Sequence, residues 1–317
     1  MLTRNVSVVI CAYTEDRWDQ ICAAVESVRT QSLPSAEIIL VIDHNAALLE
    51  RAKASMPGVT VMANEQAKGL SGARNTGAAR ASGEIIAFLD DDAVAHDDWL
   101  KFLADPYENP RMAGVGGLTL PRWQTARPAW LPEEFYWVIG CNYTGMAPSG
   151  APVRNLIGAN MSFRRDMFRV VDGGFVTGIG RTSGGRPLGC EETEFCIRLH
   201  QQVPESLMIM DHRAMIWHFV SDNRCTYKYF ISRCFAEGIS KAQVAASVGS
   251  GDGLAAERAY MTRTLPLGVL RGIADTFRGD VVGMARAGAI VTGLGATAAG
   301  YLYRKLDQVA HREPQAA

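Results

Sequence analysis

The strongest constraint on this chain is an alternation of short apolar runs and helix-patterned segments over its first ninety residues, which ends on three consecutive aspartates. Residues 6–10 (VSVVI), 38–42, 59–62 and 85–89 are short apolar runs, the pattern of strands covered on both faces. Between them Trp18, Ile21, Cys22, Val25 and Val28 recur at helical spacing. Residues 46–54 read as a second helix broken by Pro57-Gly58, and Ser71 caps a third that Ser82-Gly83 stops. This βαβα order with short connections predicts an α/β fold, with helices flanking a mostly parallel central sheet. Asp90-Asp91-Asp92 follows the fourth run at once, beyond the carboxyl end of a strand, where open α/β sheets bind their ligands.

Composition narrows the function classes. The 317 residues are 48% hydrophobic, enough for one large domain or two modest ones. Lys plus Arg number 32 against 33 Asp plus Glu, so the cationic footprint that nucleic acid requires is missing and no nucleic-acid partner is expected. The seven cysteines are odd in number and include no CxxC, which argues against a disulfide framework or a zinc-thiolate site and for a reducing compartment. The N-terminus passes directly into a strand-like run without a signal-peptide apolar region, so a cytoplasmic location is expected.

The glycines of GLSGARNTG invite a dinucleotide-binding reading. That fingerprint belongs between the first strand and its helix, where this chain has CAYTEDR. There is no Walker A motif and no G-x-S-x-G element either. Farther along, residues 121–145 carry Trp123, Trp130, Trp137, Tyr136 and Tyr143 among prolines and glycines and read as a long surface segment. Residues 153–163 return to the sheet, 173–189 form a glycine-rich mobile loop, 191–200 a helix and 207–217 a further strand. After Tyr227 the chain reads as helical.

In sequence order, VSVVICAYTEDR, ILVIDHN, GLSGARNTGAARASGEIIAFLDDDA, NLIGANMSFRRDMF and GCEETEFCIRL together resemble the inverting GT-A glycosyltransferases of family 2. The resemblance covers about residues 4–240. It implies a GT-A domain over 1–240, with a nucleotide-binding half to about 115 and an acceptor half beyond, followed by a helical extension over 241–317. It also implies a nucleotide-diphospho-sugar donor, most simply a UDP-sugar, a Mn²⁺ or Mg²⁺ ion, and a glycan, lipid-linked or small-molecule acceptor.

Asp90 and Asp92 lie two apart at a strand end, so both carboxylates can face one side and hold a hard cation against a diphosphate. The resemblance makes Asp92 the firmer metal ligand and Asp90 the nearer to the ribose, while Asp91 stands in the donor site facing away from the metal. Asp43 ends the second strand, where a carboxylate can accept from the imide N–H of uracil or another base donor. Arg74 is either a structural brace or a donor contact. His218, after the last core strand, is by looser analogy a metal or phosphate contact. Arg224, Lys228 and Arg233 are candidates for a cationic lid over the diphosphate.

Displacement by an acceptor hydroxyl requires a carboxylate to take its proton. The family usually has Glu-Asp where this chain has Glu191-Glu192, so the base falls on Glu192 with Glu191 orienting it, although the longer second side chain leaves the choice between them open. Glu194 reads as a brace. Gly158-Ala159-Asn160 is a candidate floor for the acceptor, and Trp123, Trp130, Trp137 and Tyr143 are candidate stacking residues or loop anchors.

At the C-terminus, residues 287–303 carry no charge for 17 positions but are rich in Gly, Ala and Thr. From Glu257 to Leu306 there are seven basic and three acidic residues. That combination fits helices lying on an anionic membrane surface at its cytoplasmic face, a small-residue helix packed on the protein or on a second copy, or, least, a spanning helix. Two rival functions stand beside transfer: a non-catalytic nucleotide-sugar-binding scaffold, and a sugar-phosphate nucleotidyltransferase, which lacks its Gly-rich triphosphate loop here.

Overall fold

In the computed structural model, residues 5–180, 188–249 and 257–310 are described. Strands β1 (Val6–Ala12), β2 (Glu37–Ile42), β3 (Thr60–Ala63) and β4 (Ile85–Asp90) come from the predicted apolar runs. β5 (Ala93–Ala95), β6 (Met112–Trp123), β7 (Asn160–Arg164) and β8 (Leu207–Val220) complete an eight-stranded sheet of order β3-β2-β1-β4-β7-β6-β8-β5. β1, β2, β3 and β4 pair in parallel, as do β6 and β8, whereas β7 is antiparallel to both neighbours and β5 to β8.

Side chains alternate along each strand, and the helices divide accordingly. Val6, Val8 and Ile10 of β1 and Ile38, Leu40 and Ile42 of β2 face α1 (Trp18–Arg29), α2 (Ala46–Ser55) and α4 (Trp99–Ala104). Val9, Ile39 and Val41 face the other way, toward α3 (Leu70–Arg80) and α6 (Glu191–Gln202). A short helix α5 (Met167–Val170) follows β7. The glycines of GLSGARNTG serve this packing. A Cβ on Gly72 would lie 2.1 Å from the Ala67 carbonyl oxygen, and one on Gly77 2.4 Å from Val9. They let α3 lie against β1 and the loop after β3; they do not cradle a dinucleotide.

Residues 121–145 are not a surface segment. β6 runs to Trp123, a 3₁₀ stretch follows at Glu133–Ile139, and Leu131, Phe135, Tyr136, Val138, Ile139 and Cys141 are buried. What covers them lies far away in sequence: α7 (Tyr227–Val248), α8 (Leu265–Phe277) and α9 (Gly283–Ala310) close a third apolar cluster over this aperiodic stretch. Local pattern carries no sign of such long-range burial. α7 runs unbroken through residue 240. It meets α9 at backbone contact distance, since a Cβ on Gly238 would lie 2.0 Å from the Thr297 carbonyl oxygen and one on Gly300 2.0 Å from that of Phe235.

α9, 28 residues long, therefore packs one face tightly on the protein. Among the described residues no helix is long and apolar enough to cross a membrane. All seven cysteines are free thiols. The expected mobile loop over 173–189 falls outside the described residues at 181–187.

Candidate active site

The parallel strands β1, β2 and β4 deliver their carboxyl ends to one edge, and the site is assembled there. Asp43 follows β2 and is buried. Its Oδ1 accepts from Asn64 Nδ2 at 2.7 Å and from the ring of His44 at 3.0 Å, and the Gly69 backbone N–H donates to both oxygens, at 3.2 and 3.0 Å. Gly69 has φ 129°, a left-handed geometry that aims its N–H at the carboxylate. Asn64 is itself fixed by Thr76, whose hydroxyl donates to Asn64 Oδ1 at 2.9 Å.

Asp90 ends β4, and Asp92 lies two residues on. Each offers a carboxylate oxygen, and His218 of β8 offers a ring nitrogen, with the three ligand atoms within 4.8 Å of one another. His218 Nε2 lies 3.0 Å from Asp92 Oδ1 and 4.0 Å from Asp90 Oδ2. β5 brings them together by pairing antiparallel to β8, with Ala93 opposite His218. Arg224 Nη2 lies 3.3 Å and Arg17 Nη1 3.1 Å from Asp92 Oδ2. Burial alone would raise the Asp92 carboxyl, but His218, Arg224 and Arg17 hold it well below the usual range. Burial would lower His218, yet the same contact with Asp92 lifts it to about 10. The ion pair stands where a divalent cation would take the place of the shared proton. Two carboxylates and an imidazole suit Mn²⁺ or Mg²⁺, with further positions left for diphosphate oxygens.

Asp91 is buried and turned to Arg17, whose Nη1 lies 2.8 Å from its Oδ1. Burial pushes its carboxyl up, against the pull of Arg17. It is oriented away from the cluster and does not line the cavity described below. Arg74, left open between brace and donor contact, is 3% exposed and forks between three acceptors: Glu191 Oε1 at 2.9 Å, Asp90 Oδ1 at 3.3 Å and the Gly158 carbonyl at 2.9 Å. The bracing geometry is what the structure shows.

Glu191 and Glu192 open α6. The preceding Cys190 has φ 72°, a left-handed conformation unusual for a residue with a Cβ, and its thiol donates to Glu237 Oε1 at 3.3 Å. Glu191 is buried and tied to Arg74; its second oxygen, Oε2, is buried with no hydrogen-bond partner among the described residues. Glu192 is half-buried, and desolvation and the neighbouring Glu191 raise its carboxyl to about 8 although Arg74 opposes them. Glu194 is fully buried and braced by Arg198 at 2.6 Å.

A cavity of about 540 Å³ joins these groups. Its lining combines the polar Arg74, Asp90, Glu191, Glu192 and His218 with the largely apolar Phe135, Trp137, Tyr143, Leu294, Ala298 and Leu302. Gly158 and Ala159 contribute to its wall. Asn160 does not: it is fully buried and staples Trp99, which donates to its Oδ1 at 2.7 Å, to the Leu118 and Ala214 carbonyls. Trp137 and Tyr143 reach the cavity, whereas Trp123 packs on Tyr136 and Trp130 on Tyr227 and Phe230. The three basic residues read as one lid separate: Arg224 sits on Asp92, Lys228 is exposed, and Arg233 pairs with Glu237 inside the cavity.

Sequence reasoning passed over Arg17 and Asn64. Both lie just past the carboxyl ends of parallel strands, and that position was the available signal. Glu237 and Lys241, on α7, carried none.

A sequence profile of glycosyl transferase family 2 matches residues 7–171, about half the chain. The chain belongs to glycosyl transferase family 2. It is 36% identical over 241 residues to the glucosyl-dolichyl phosphate glucuronosyltransferase of Haloferax volcanii, covering 75% of this chain and 76% of that one. Among solved structures, the mannosyltransferase PcManGT of Pyrobaculum calidifontis, in complex with GDP-Man and Mn²⁺, superposes with a TM-score of 0.58 at 16% identity, over 95% of this chain and 88% of that one. GalNAc-T7 with UDP, GalNAc and Mn²⁺ superposes with a TM-score of 0.51 at 21% identity, over 68% of this chain and 43% of that one. Both likenesses show the GT-A fold. This family 2 protein is a glycosyltransferase that moves a sugar from a nucleotide-diphosphate donor to an acceptor, and Asp90, Asp92 and His218 are placed to hold a divalent cation.

Proposed function

We propose that the enzyme inverts the transferred sugar, takes it from a UDP-sugar, and uses Glu192 as the base. The observation that carries this reading is the division of labour at α6: Glu191 is held by Arg74, while Glu192 shares the cavity with Asp90 and His218 and carries a raised carboxyl. Glu192 takes the proton of the acceptor hydroxyl as its oxygen forms a bond to the anomeric carbon. The opposite C–O bond breaks, and its electron pair leaves on the nucleoside diphosphate. Asp90, Asp92 and His218 would hold a divalent cation, which would supply positive charge to that leaving group. Arg74 holds Asp90 and Glu191 in place. Asp43 receives the base: among the described residues its Oδ2 accepts from the Gly69 N–H alone, which leaves room for the single imide N–H of uracil.

Membrane contact is part of the proposal. Phe277 and Val281, flanking the turn between α8 and α9, are 87% and 82% exposed, and the exposed Arg278 follows Phe277 in the chain. Leu302, Leu306 and Val309 continue an exposed apolar stripe along α9. Such a surface suits an anionic bilayer. The relative from H. volcanii is named for a dolichyl phosphate-linked substrate, which supports a lipid-linked acceptor here.

The test is binding of UDP, GDP, ADP and CDP with and without Mn²⁺, followed by hydrolysis or transfer of the matching donor and analysis of the product anomer. Mn²⁺-dependent UDP binding that Asp92→Ala abolishes, with an inverted product, supports the reading. Binding without any turnover, even to water, moves the protein to the scaffold class.

A further inference from the structure

The two aspartates that face His218 are held alike. Asp90 gives Oδ1 to Arg74, at 3.3 Å, and turns Oδ2 to His218 Nε2, at 4.0 Å. Asp92 gives Oδ2 to Arg17, at 3.1 Å, and to Arg224, at 3.3 Å, and turns Oδ1 to His218 Nε2, at 3.0 Å. Each carboxylate thus has one oxygen committed to a guanidinium and the other facing the imidazole. Arg74 and Arg224 are buried. Arg17 is not: it closes a short 3₁₀ turn, Glu15–Arg17, that Thr14 caps, and its side chain is 24% exposed. Asp91 draws it inward through Oδ1, at 2.8 Å, and the Tyr13 ring centre lies 5.4 Å from the guanidinium. Asp91 is buried, and its Oδ2 has no hydrogen-bond partner among the described residues, a costly arrangement for a carboxylate that faces away from the cluster. Holding Arg17 over Asp92 accounts for it.

A carboxylate with one oxygen to offer and a carboxylate with two suit different cations. Ca²⁺ collects about six to eight oxygens and often takes both from one carboxylate, whereas Mg²⁺ is held by one or two carboxylates together with waters and substrate phosphates. We infer that Arg17 is a positioning residue that sets the ion preference of the site. By occupying Asp92 Oδ2 it keeps a cation from taking both oxygens of that carboxylate, and so disfavours Ca²⁺ against Mn²⁺ and Mg²⁺; Asp91 is its anchor. Neither Arg17 nor Asp91 lines the cavity. The inference rests on the metal site read above and gives these two residues their part in it.

The test is ion competition on the full chain, with UDP and without it. Mn²⁺ binding is read from the loss of the free-ion electron paramagnetic resonance signal, and Ca²⁺ or Mg²⁺ is then added until half of the bound Mn²⁺ is released. The readout is the ratio of two affinities, because loss of a positive charge tightens every divalent cation. Arg17→Met combined with Asp91→Asn removes one charge of each sign and should move the Ca²⁺-to-Mn²⁺ ratio toward Ca²⁺ at least about tenfold. The Mg²⁺-to-Mn²⁺ ratio should stay where it is, since Mg²⁺ gains nothing from a second oxygen of the same carboxylate. Arg224→Met frees the same oxygen from its other neighbour and should shift the Ca²⁺ ratio in the same direction. Thermal unfolding checks each variant, and Arg224→Met carries the test if the double variant does not fold. An unchanged Ca²⁺ ratio in a folded variant, or a Mg²⁺ ratio that moves as far, overturns the assignment of Arg17. Absence of Mn²⁺ binding by wild type, or Mn²⁺ binding that Asp92→Ala leaves intact, overturns the metal site itself and this inference with it.

Discussion

Replacing Glu192 by Gln should do two opposite things, and their pH dependence ties them to one group. The carboxyl is raised to about 8 by desolvation and by Glu191. A base must be ionised to act, so a group of pKa near 8 is about one-tenth competent at pH 7 and about nine-tenths at pH 9. Wild-type kcat/KM should therefore climb roughly tenfold over that interval and level off above it. In Glu192→Gln the climb should vanish and kcat should fall about 10²- to 10⁴-fold, with Mn²⁺-dependent UDP binding retained. Stability should move the other way. Because the folded state holds this proton more tightly than the unfolded chain, wild type loses stability as pH rises from the ordinary Glu value through about 8. The slope is at most about 1.4 kcal/mol per pH unit, and solvent at a half-buried residue lowers it. Gln carries no such penalty, so the variant should match wild type near pH 4.5 and exceed it by about 1–2 kcal/mol at pH 9, a few degrees in Tm. The assays are initial rates with the donor and thermal unfolding, both across pH 4.5–9. A variant that keeps the acid limb, or one whose stability advantage does not grow with pH, would refute the assignment of the base.

Other perturbations separate bracing from chemistry. Arg74→Met leaves Asp90 and Glu191 without their shared cation and should cost about 3–5 kcal/mol in urea unfolding, with transfer lost as well. Asp92→Asn should abolish Mn²⁺-dependent nucleotide binding, read by calorimetry, while folding survives, since His218 and Arg224 keep a neutral acceptor between them. Gly300→Ala places a methyl 2.0 Å from the Phe235 carbonyl oxygen and should destabilise by about 1–3 kcal/mol in urea unfolding as α9 is pushed off α7. Phe277→Asp with Val281→Asp should abolish flotation with anionic vesicles and leave UDP binding intact.

How far the sequence could be read followed the range of the interactions involved. β1 to β4 and the helices between them are set by local periodicity and short connections, so Asp43, Asp90 and Asp92 could be placed at strand ends before any coordinates. The Glu191-Glu192 pair was legible through its motif, which placed the base on Glu192, but the contact that holds Glu191 was not, because it comes from Arg74, 117 positions earlier in the chain. The 121–145 stretch was misread for the same reason. Its aromatic residues have no period, and they are core only because α7, α8 and α9 return to cover them. Asn160 looked like a small polar residue at an acceptor floor and instead holds Trp99 and two carbonyls inside the sheet.

The C-terminal helices are more than an appendage to a nucleotide-binding core. Without α9 the cavity beside Glu192 would lose Leu294, Thr297, Ala298, Tyr301 and Leu302 from its lining, and one side would open to water. Water that reaches an activated donor next to a base hydrolyses it, so a closed wall there protects the donor. The small residues that made α9 a weak membrane-span candidate are what allow it this position: Gly293 fits against Phe135 and Phe230, and Gly300 against the Phe235 backbone, where larger side chains would hold the helix away from α7. Its outward residues are then free to be apolar, as Leu306 and Val309 are. One helix thus carries a close-packed inner face that shapes the cavity and an exposed apolar outer face.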